Sequence, residues 1–312
     1  MLLGEIDSVD CHIHLESIRE AEKLLHAMDR AGVATAILMG SSRFTITLRS
    51  SDGFTQYHEN NVELLKVRNA HPDRFEVWPT LDPVAPDNCR RLQDYVSKGA
   101  SGLKLYVGHG FRCGNPPKYL FHTVPIDHDL LQGLYQYCTE TDLPVCLHVN
   151  TAGKEVGFRE EFERFLNSNP YLKVHVPHWM LASRRPGYLR SVFDRFPNVS
   201  TDVSFGQDTF LRAGLRRLSQ NAQTISELVE DYSSRVLYGS DIVCTSASHK
   251  TVEWMATRML CYRCMLGSAD YECPITHEKR TGLSLSEETL RSVLRSNARC
   301  LLSTVEVHAE QV

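Results

Sequence analysis

From residue 6 to residue 266 the chain repeats one pattern, a short apolar run followed by a longer amphipathic segment. Residues 6–14, 33–39, 75–81, 102–107, 145–149, 172–176, 198–203 and 235–239 read as strands. Several are apolar without interruption, as strands buried on both faces are. Helical spacing recurs over 17–31, 58–70, 87–98, 127–141, 157–168, 187–196, 208–231 and 250–266. In the first of these Ile18, Ala21, Leu24, Leu25 and Met28 share a face, and Gly32 stops the helix. Parallel strands need a crossover between them, and an outer helix supplies it. Eight such units predict an α/β fold of the closed (β/α)8, or TIM-barrel, kind. An open doubly wound sheet is the alternative, but no glycine-rich phosphate turn follows the first strand. Residues 285–302 read as a C-terminal helical extension, with Ser286 as N-cap and Glu287 and Glu288 in its first turn. Length alone allows about two domains of ~150 residues. The unit count instead assigns residues 1–312 to one elaborated barrel domain.

Composition removes several classes of function. With 42% hydrophobic and 23% charged residues the chain is neither disordered nor a coiled-coil rod. A formal net charge of -4 leaves no basic excess, so nucleic acid is not an expected partner. No apolar run reaches the ~18 residues of a membrane span. The start, Met-Leu-Leu-Gly-Glu, has no basic segment ahead of its first acid, so the expected location is the cytoplasm. The 10 cysteines are scattered, several inside apolar runs, as Cys146 is in Leu-Pro-Val-Cys-Leu. That is how reduced thiols behave as small core residues. Cys261, Cys264, Cys273 and His277 are candidate zinc ligands, but their spacing matches no common zinc module, and they read as unpaired thiols.

The histidines are more informative. His12 and His14 are two apart on the first strand and so share a face, which in a barrel can point at one metal ion. A satisfied core or surface pair is the plainer reading. His148 ends the fifth strand, His178 the sixth and Asp241 the eighth, while Lys104 interrupts the apolar fourth. In a barrel these groups converge on one mouth, and imidazoles with carboxylates are ligands for Zn²⁺ and related ions. Long loops at 41–56 and 108–126 follow strands two and four, where barrels build substrate pockets. Arg43 and Arg112 there are either carboxylate-binding residues or solvated surface arginines. Tyr106 and His109 lie close to the same mouth.

Asp10-Cys11-His12-Ile13-His14, followed by His148, His178 and Asp241, resembles the amidohydrolase superfamily. The likeness is greater to its amidohydrolase-related (amidohydrolase 2) branch of hydrolases, lactonases and non-oxidative decarboxylases. Supporting stretches are residues 196–202, 236–241 and the tail with Asn297-Ala298-Arg299. The resemblance spans about residues 6–302. It implies one divalent ion, Zn²⁺ first, on His12, His14, His148 and Asp241, with His178 beside it. Lys104, if carbamylated, would instead join His148 and His178 around a second ion. Its other roles are a partner for a substrate anion or for Asp241, or a structural ion pair. A homodimer is expected on the resemblance alone.

The chemistry expected of such a site is hydrolysis of a small-molecule amide, ester or lactone by activated water. Asp241 would accept the proton, and His178 and Lys104 would stabilise the oxyanion. The alternative is non-oxidative decarboxylation of a carboxylic acid. A barrel that binds a ligand without catalysis is a third possibility, which the complete ligand set opposes.

Overall fold

The computed structural model describes residues 6–49, 52–107, 124–151 and 158–302, with residues 112–113 and 118–119 as backbone. Its staves are β1 (Ser8–Leu15), β2 (Val33–Met39), β3 (Phe75–Trp78), β4 (Leu103–Leu105), β5 (Val145–Leu147), β6 (Val174–Val176) and β7 (Val199–Asp202). The eighth is split into β8 (Val236–Leu237) and β9 (Ile242–Cys244). β8 pairs with β7, and β9 pairs with β1, so the eighth stave changes neighbours at its kink and closes the ring. A parallel bridge between Thr80 and Lys104 joins β3 to β4. All of these pairings are parallel, the arrangement of a (β/α)8 barrel.

Among the described residues nine helices carry the connections: α1 (Ala21–Ala31), α2 (Tyr57–Ala70), α3 (Asn88–Ser97), α4 (Asp129–Glu140), α5 (Arg159–Ser168), α6 (Pro186–Arg195), α7 (Asp208–Gln220), α8 (Ala222–Asp231) and α9 (Val252–Gly267). The segment read as one helix over 208–231 breaks at Asn221. Its side-chain amide donates to the Arg217 carbonyl at 2.8 Å, a local bond that competes with the helical ladder. The 41–56 loop contains a one-turn helix, Arg43–Thr47, capped by the Ser42 hydroxyl. In the 108–126 loop, Arg112–Cys113 pairs antiparallel with Lys118–Tyr119.

Alternation along the strands sorts side chains into two shells. Leu103, Leu105, Val145, Leu147, Val174 and Val176 join the large core against the helices. Val9, Cys11, Ile37, Met39, Trp78, Cys146 and Leu237 form an inner cluster, with Ala298 of the C-terminal helix against it. That helix starts at Ser286, whose hydroxyl accepts from the Thr289 N–H as expected of an N-cap. Its middle, Ser292–Ser296, is a π-turn, and Val293 turns its carbonyl to the Tyr238 N–H at 2.9 Å.

Gly40 marks how tightly the staves close. A Cβ there would lie 2.2 Å from the Thr80 backbone nitrogen and 2.5 Å from Asn61 Oδ1. Both obstacles are fixed, because Asn61 Oδ1 accepts from that same nitrogen. Gly40→Ala is therefore expected to destabilise by about 1–3 kcal/mol or more, read as a lower denaturant midpoint. An unchanged midpoint would show that the backbone yields.

Candidate metal centre

The inward aim of His12 and His14 depends on an irregularity in β1. Asp10 pairs with Ala36 and Ile13 with Leu38, so three steps on β1 oppose two on β2. The extra residue reverses the alternation. Before it, Val9 and Cys11 join the inner cluster; after it, Ile13 and Leu15 face the helices. His12 and His14 consequently turn inward, a known use of bulges beside active sites.

The other inward groups follow ordinary alternation. Lys104 on β4, His175 on β6 and Asp202 on β7 are all fully buried. Asp202 was not among the residues expected at the site, and it is the hub. Its Oδ2 accepts from His12 Nδ1 at 2.9 Å and His175 Nε2 at 3.2 Å. Its Oδ1 accepts from the His178 and Ser204 N–H groups at 3.0 Å each, and from the Ser204 hydroxyl. Burial alone would raise its pKa, but the His12 and His175 imidazoles outweigh burial and hold it well below the usual carboxylate range.

β6 ends in an unusual turn. His178, Trp179, Met180 and Leu181 all have φ between 54 and 61°. Left-handed backbone costs roughly 1–2 kcal/mol per residue for non-glycine side chains. The neighbouring stave holds it there. Besides the Asp202 bond, Trp179 Nε1 donates to the Val203 carbonyl at 3.1 Å and the Met180 N–H to Thr201 Oγ1 at 3.2 Å. His178 Nδ1 donates to the Ser204 hydroxyl at 2.7 Å, because that hydroxyl's own proton goes to Asp202.

Asp241 sits in the kink of the eighth stave at φ 52°. Gly206 leaves it room, since a Cβ there would lie 2.5 Å from Asp241 Oδ2. Asp241 Oδ1 is 3.3 Å from both His12 Nε2 and His14 Nε2, which are 3.2 Å from each other. His178 Nε2 is 3.7 Å from Asp241 Oδ2. Each ring has acceptors for an Nδ1–H away from the triangle. His12 Nδ1–H faces a carboxylate, and His14 Nδ1–H faces the Met39 carbonyl at 3.1 Å and the Ser41 hydroxyl at 2.8 Å. Burial pushes His12 down to about 3, so it brings no second proton. Burial works against the charge of Asp241, but His12, His178 and His14 together hold its carboxyl well below its ordinary value. Three potential ligand atoms thus crowd one point, while both Nδ1 atoms turn to acceptors outside it. Two ligands ~2.0–2.1 Å from a tetrahedral zinc lie ~3.3–3.4 Å apart. The triangle fits the face of a divalent cation's shell.

Beside it, His148 packs against His178 and Tyr106, with ring centroids 4.9 and 5.7 Å away. The Lys104 ammonium donates to Cys146 Sγ at 3.3 Å and lies 5.0 Å from the centre of the Tyr106 ring. It makes no ion pair with Asp241: among the described residues no carboxylate lies within ion-pair distance of it. Among the described residues it forms neither the Asp241 partnership nor a structural ion pair. Tyr106 is buried and donates to the Gly40 carbonyl at 3.4 Å. Arg43 is half exposed and reaches Glu16 at 3.5 Å. His109 and the Arg112 side chain lie outside the described residues.

A family model for amidohydrolases matches residues 9–303. The chain belongs to that family. No curated protein matches the sequence. Among solved structures, an uncharacterised TIM-barrel protein of Bordetella bronchiseptica is similar at 15% identity over 96% of this chain and 99% of its own, with a TM-score of 0.62. A probable 2-pyrone-4,6-dicarboxylic acid hydrolase of Acinetobacter baumannii shares 13% identity, covering 96% and 100%, with a TM-score of 0.59. A 5-carboxyvanillate decarboxylase of Sphingomonas paucimobilis shares 12%, covering 96% and 99%, with a TM-score of 0.57. At these identities the likeness is one of fold. The family is one of enzymes, and its structural neighbours include a probable hydrolase and a decarboxylase.

The amidohydrolase's cysteines behave as core residues: Cys11, Cys138, Cys146, Cys244, Cys261 and Cys273 are buried and free. Cys261 and Cys273 approach to 3.3 Å, but His277 is exposed and turned to Glu272, so the candidate zinc quartet does not assemble. His175 is fully buried and shares Asp202 with His12, a link the sequence does not disclose. Asp202 carried the same signal as the others, a lone acid closing a strand. No helix among the described residues is long and apolar enough to cross a membrane.

Asp10 supports β1 from outside the triangle. Its Oδ1 accepts from the His12 and Ser240 N–H groups at 3.1 and 3.0 Å. Burial raises its carboxyl from 3.8 to about 7. The folded state therefore holds that proton more tightly than the unfolded chain, so Asp10 takes stability away as pH rises from about 4 to about 7. Asp10→Asn keeps the acceptor without the charge. It is expected to gain stability over the wild type at pH 8, the gain vanishing towards pH 4, in denaturation curves at both pH values. An equal effect at both would sink the assignment.

Proposed function

We propose that this amidohydrolase is a metal-dependent hydrolase of a small-molecule amide, ester or lactone. The observation that carries the reading is the close triangle of His12 Nε2, His14 Nε2 and Asp241 Oδ1. These three residues would hold one divalent ion, Zn²⁺ in the first instance, with His148 and His178 beside them. When bound, such an ion acidifies water and polarises a carbonyl.

The remaining work falls to side chains. Asp241 is ionised and points its second oxygen towards His178, so it can accept a proton from the attacking water. His178 is neutral because burial lowers its pKa, and its Nδ1–H is committed to Ser204. Its free Nε2 can take the proton relayed by Asp241 and present it to the leaving group. Lys104, buried with no carboxylate in ion-pair range among the described residues, would hold a negative oxygen of the substrate.

Lys104 also favours a second reading, decarboxylation, because a buried ammonium beside the site suits a carboxylic acid substrate. Both are tested together. Metal-loaded enzyme is assayed on carboxylate-bearing lactones and amides for acid release, and on hydroxylated benzoic acids for CO₂. Hydrolysis that is lost on chelation and restored by Zn²⁺ is the expected result; CO₂ release without hydrolysis overturns it.

A further inference from the structure

The chain carries a net charge of -4, yet five arginines on the approach to α6 and on α7 form no ion pair among the described residues. Arg184 and Arg185 precede α6, and Arg212, Arg216 and Arg217 lie on α7. Arg184 and Arg217 line one cavity of about 290 Å³, completed by Ser183, Pro186, Asn221 and Ile225. Arg217 Nη1 donates to the Ser183 hydroxyl at 2.5 Å, which fixes one edge of its fork. Burial and the charge of Arg184 lower Arg217 from its ordinary value, and no acidic group offsets them.

Two guanidinium groups around one cavity repel each other unless an anion sits between them. The forks present paired N–H donors that match the oxygen pairs of phosphate or carboxylate. Charge decides between these. A phosphoryl group carries about -1.5 to -2 at neutral pH, enough to balance both arginines, whereas a carboxylate leaves one uncompensated. The cavity lies where α6 and α8 begin and α7 ends, so the fields of the helix ends oppose one another and the arginines supply the attraction.

We propose that this cavity binds a phosphoryl group, as free phosphate or as a small phosphate monoester. Arg184 and Arg217 are the forks and Ser183 is the neutral partner. An occupant ties the segment leaving His178 to the corner between α7 and α8. The site uses none of the residues of the metal centre, so its failure would leave the hydrolase reading standing.

The test is calorimetric titration of the full-length, metal-loaded protein at low salt with inorganic phosphate, phenyl phosphate and succinate. Phosphate is expected to bind with a millimolar or lower Kd, and Arg184→Ala or Arg217→Ala to weaken it about tenfold or more. Arg217→Lys, which keeps the charge and loses the fork, is expected to weaken it as well. Arg216→Ala and His12→Ala are expected to stay within about twofold of the wild type, the latter excluding binding at the metal centre. Binding of phenyl phosphate alongside phosphate assigns the ester, and binding of phosphate alone assigns the free ion; both support the site. No binding at ~20 mM phosphate, affinity unchanged in both alanine variants, or succinate bound as tightly as phosphate would overturn it.

Discussion

Asp241→Asn is expected to leave the protein folded and able to take up a divalent ion, while slowing turnover by about 10²–10⁴-fold. Asparagine is among the few residues that accept the φ of 52° at this position. Its carbonyl oxygen can stay where Oδ1 now stands, 3.3 Å from both imidazole nitrogens. Its amide can donate towards the bare Nε2 of His178 at the place of Oδ2. What it cannot do is accept a proton, and that is the step assigned to Asp241. Asp241→Ala combines two losses, a ligand and a tolerated backbone, and is expected to lower metal content as well as activity. Metal analysis beside steady-state rates separates the two variants. A full-rate Asp241→Asn enzyme would show that the proton goes elsewhere. Loss of metal in that variant would show that the carboxylate charge itself is needed for binding.

Much of this site is legible in the chain because strand ends are legible. A buried parallel strand is apolar, so Lys104 within β4 and the histidines closing β5 and β6 stand out against their neighbours. Three features were not readable. The inward turn of His12 and His14 needs an extra residue in β1, and Val9 to Leu15 carries no glycine or proline to mark it. The left-handed turn at His178 to Leu181 contains no glycine, and its stability resides in partners on β7 some twenty residues later. The kink between β8 and β9 interrupts what reads as one strand ending, and it carries Asp241 into the triangle. Each depends on contacts between staves, whereas composition and periodicity report on one stave at a time. Asp202 differs from these. Its position was readable, but its importance lies in how many donors converge on it.

That convergence makes Asp202 the most consequential residue outside the triangle. Asp202→Ala strips an acceptor from His12, His175, His178 and Ser204 at once. Leaving buried donors unpaired costs about 1–3 kcal/mol each, so a large loss of stability is expected. The backbone of His178 loses one of the bonds that hold it left-handed. Asp202→Asn is the sharper experiment. Every group facing this carboxylate is a donor, so an amide NH₂ meets either the His12 and His175 rings or the His178 and Ser204 N–H groups. If it meets His12, the ring is driven to carry its proton on Nε2, inside the triangle, as an aspartate-to-asparagine change does beside a catalytic histidine. Metal affinity is then expected to fall by about 10–100-fold or more, although volume is unchanged. The measurement is a metal titration of the folded variant, paired with a denaturation curve to separate binding from stability. Wild-type affinity in Asp202→Asn would mean that the His12 proton is not set by this carboxylate, and the part given to Asp202 in readying His12 for a cation would fall.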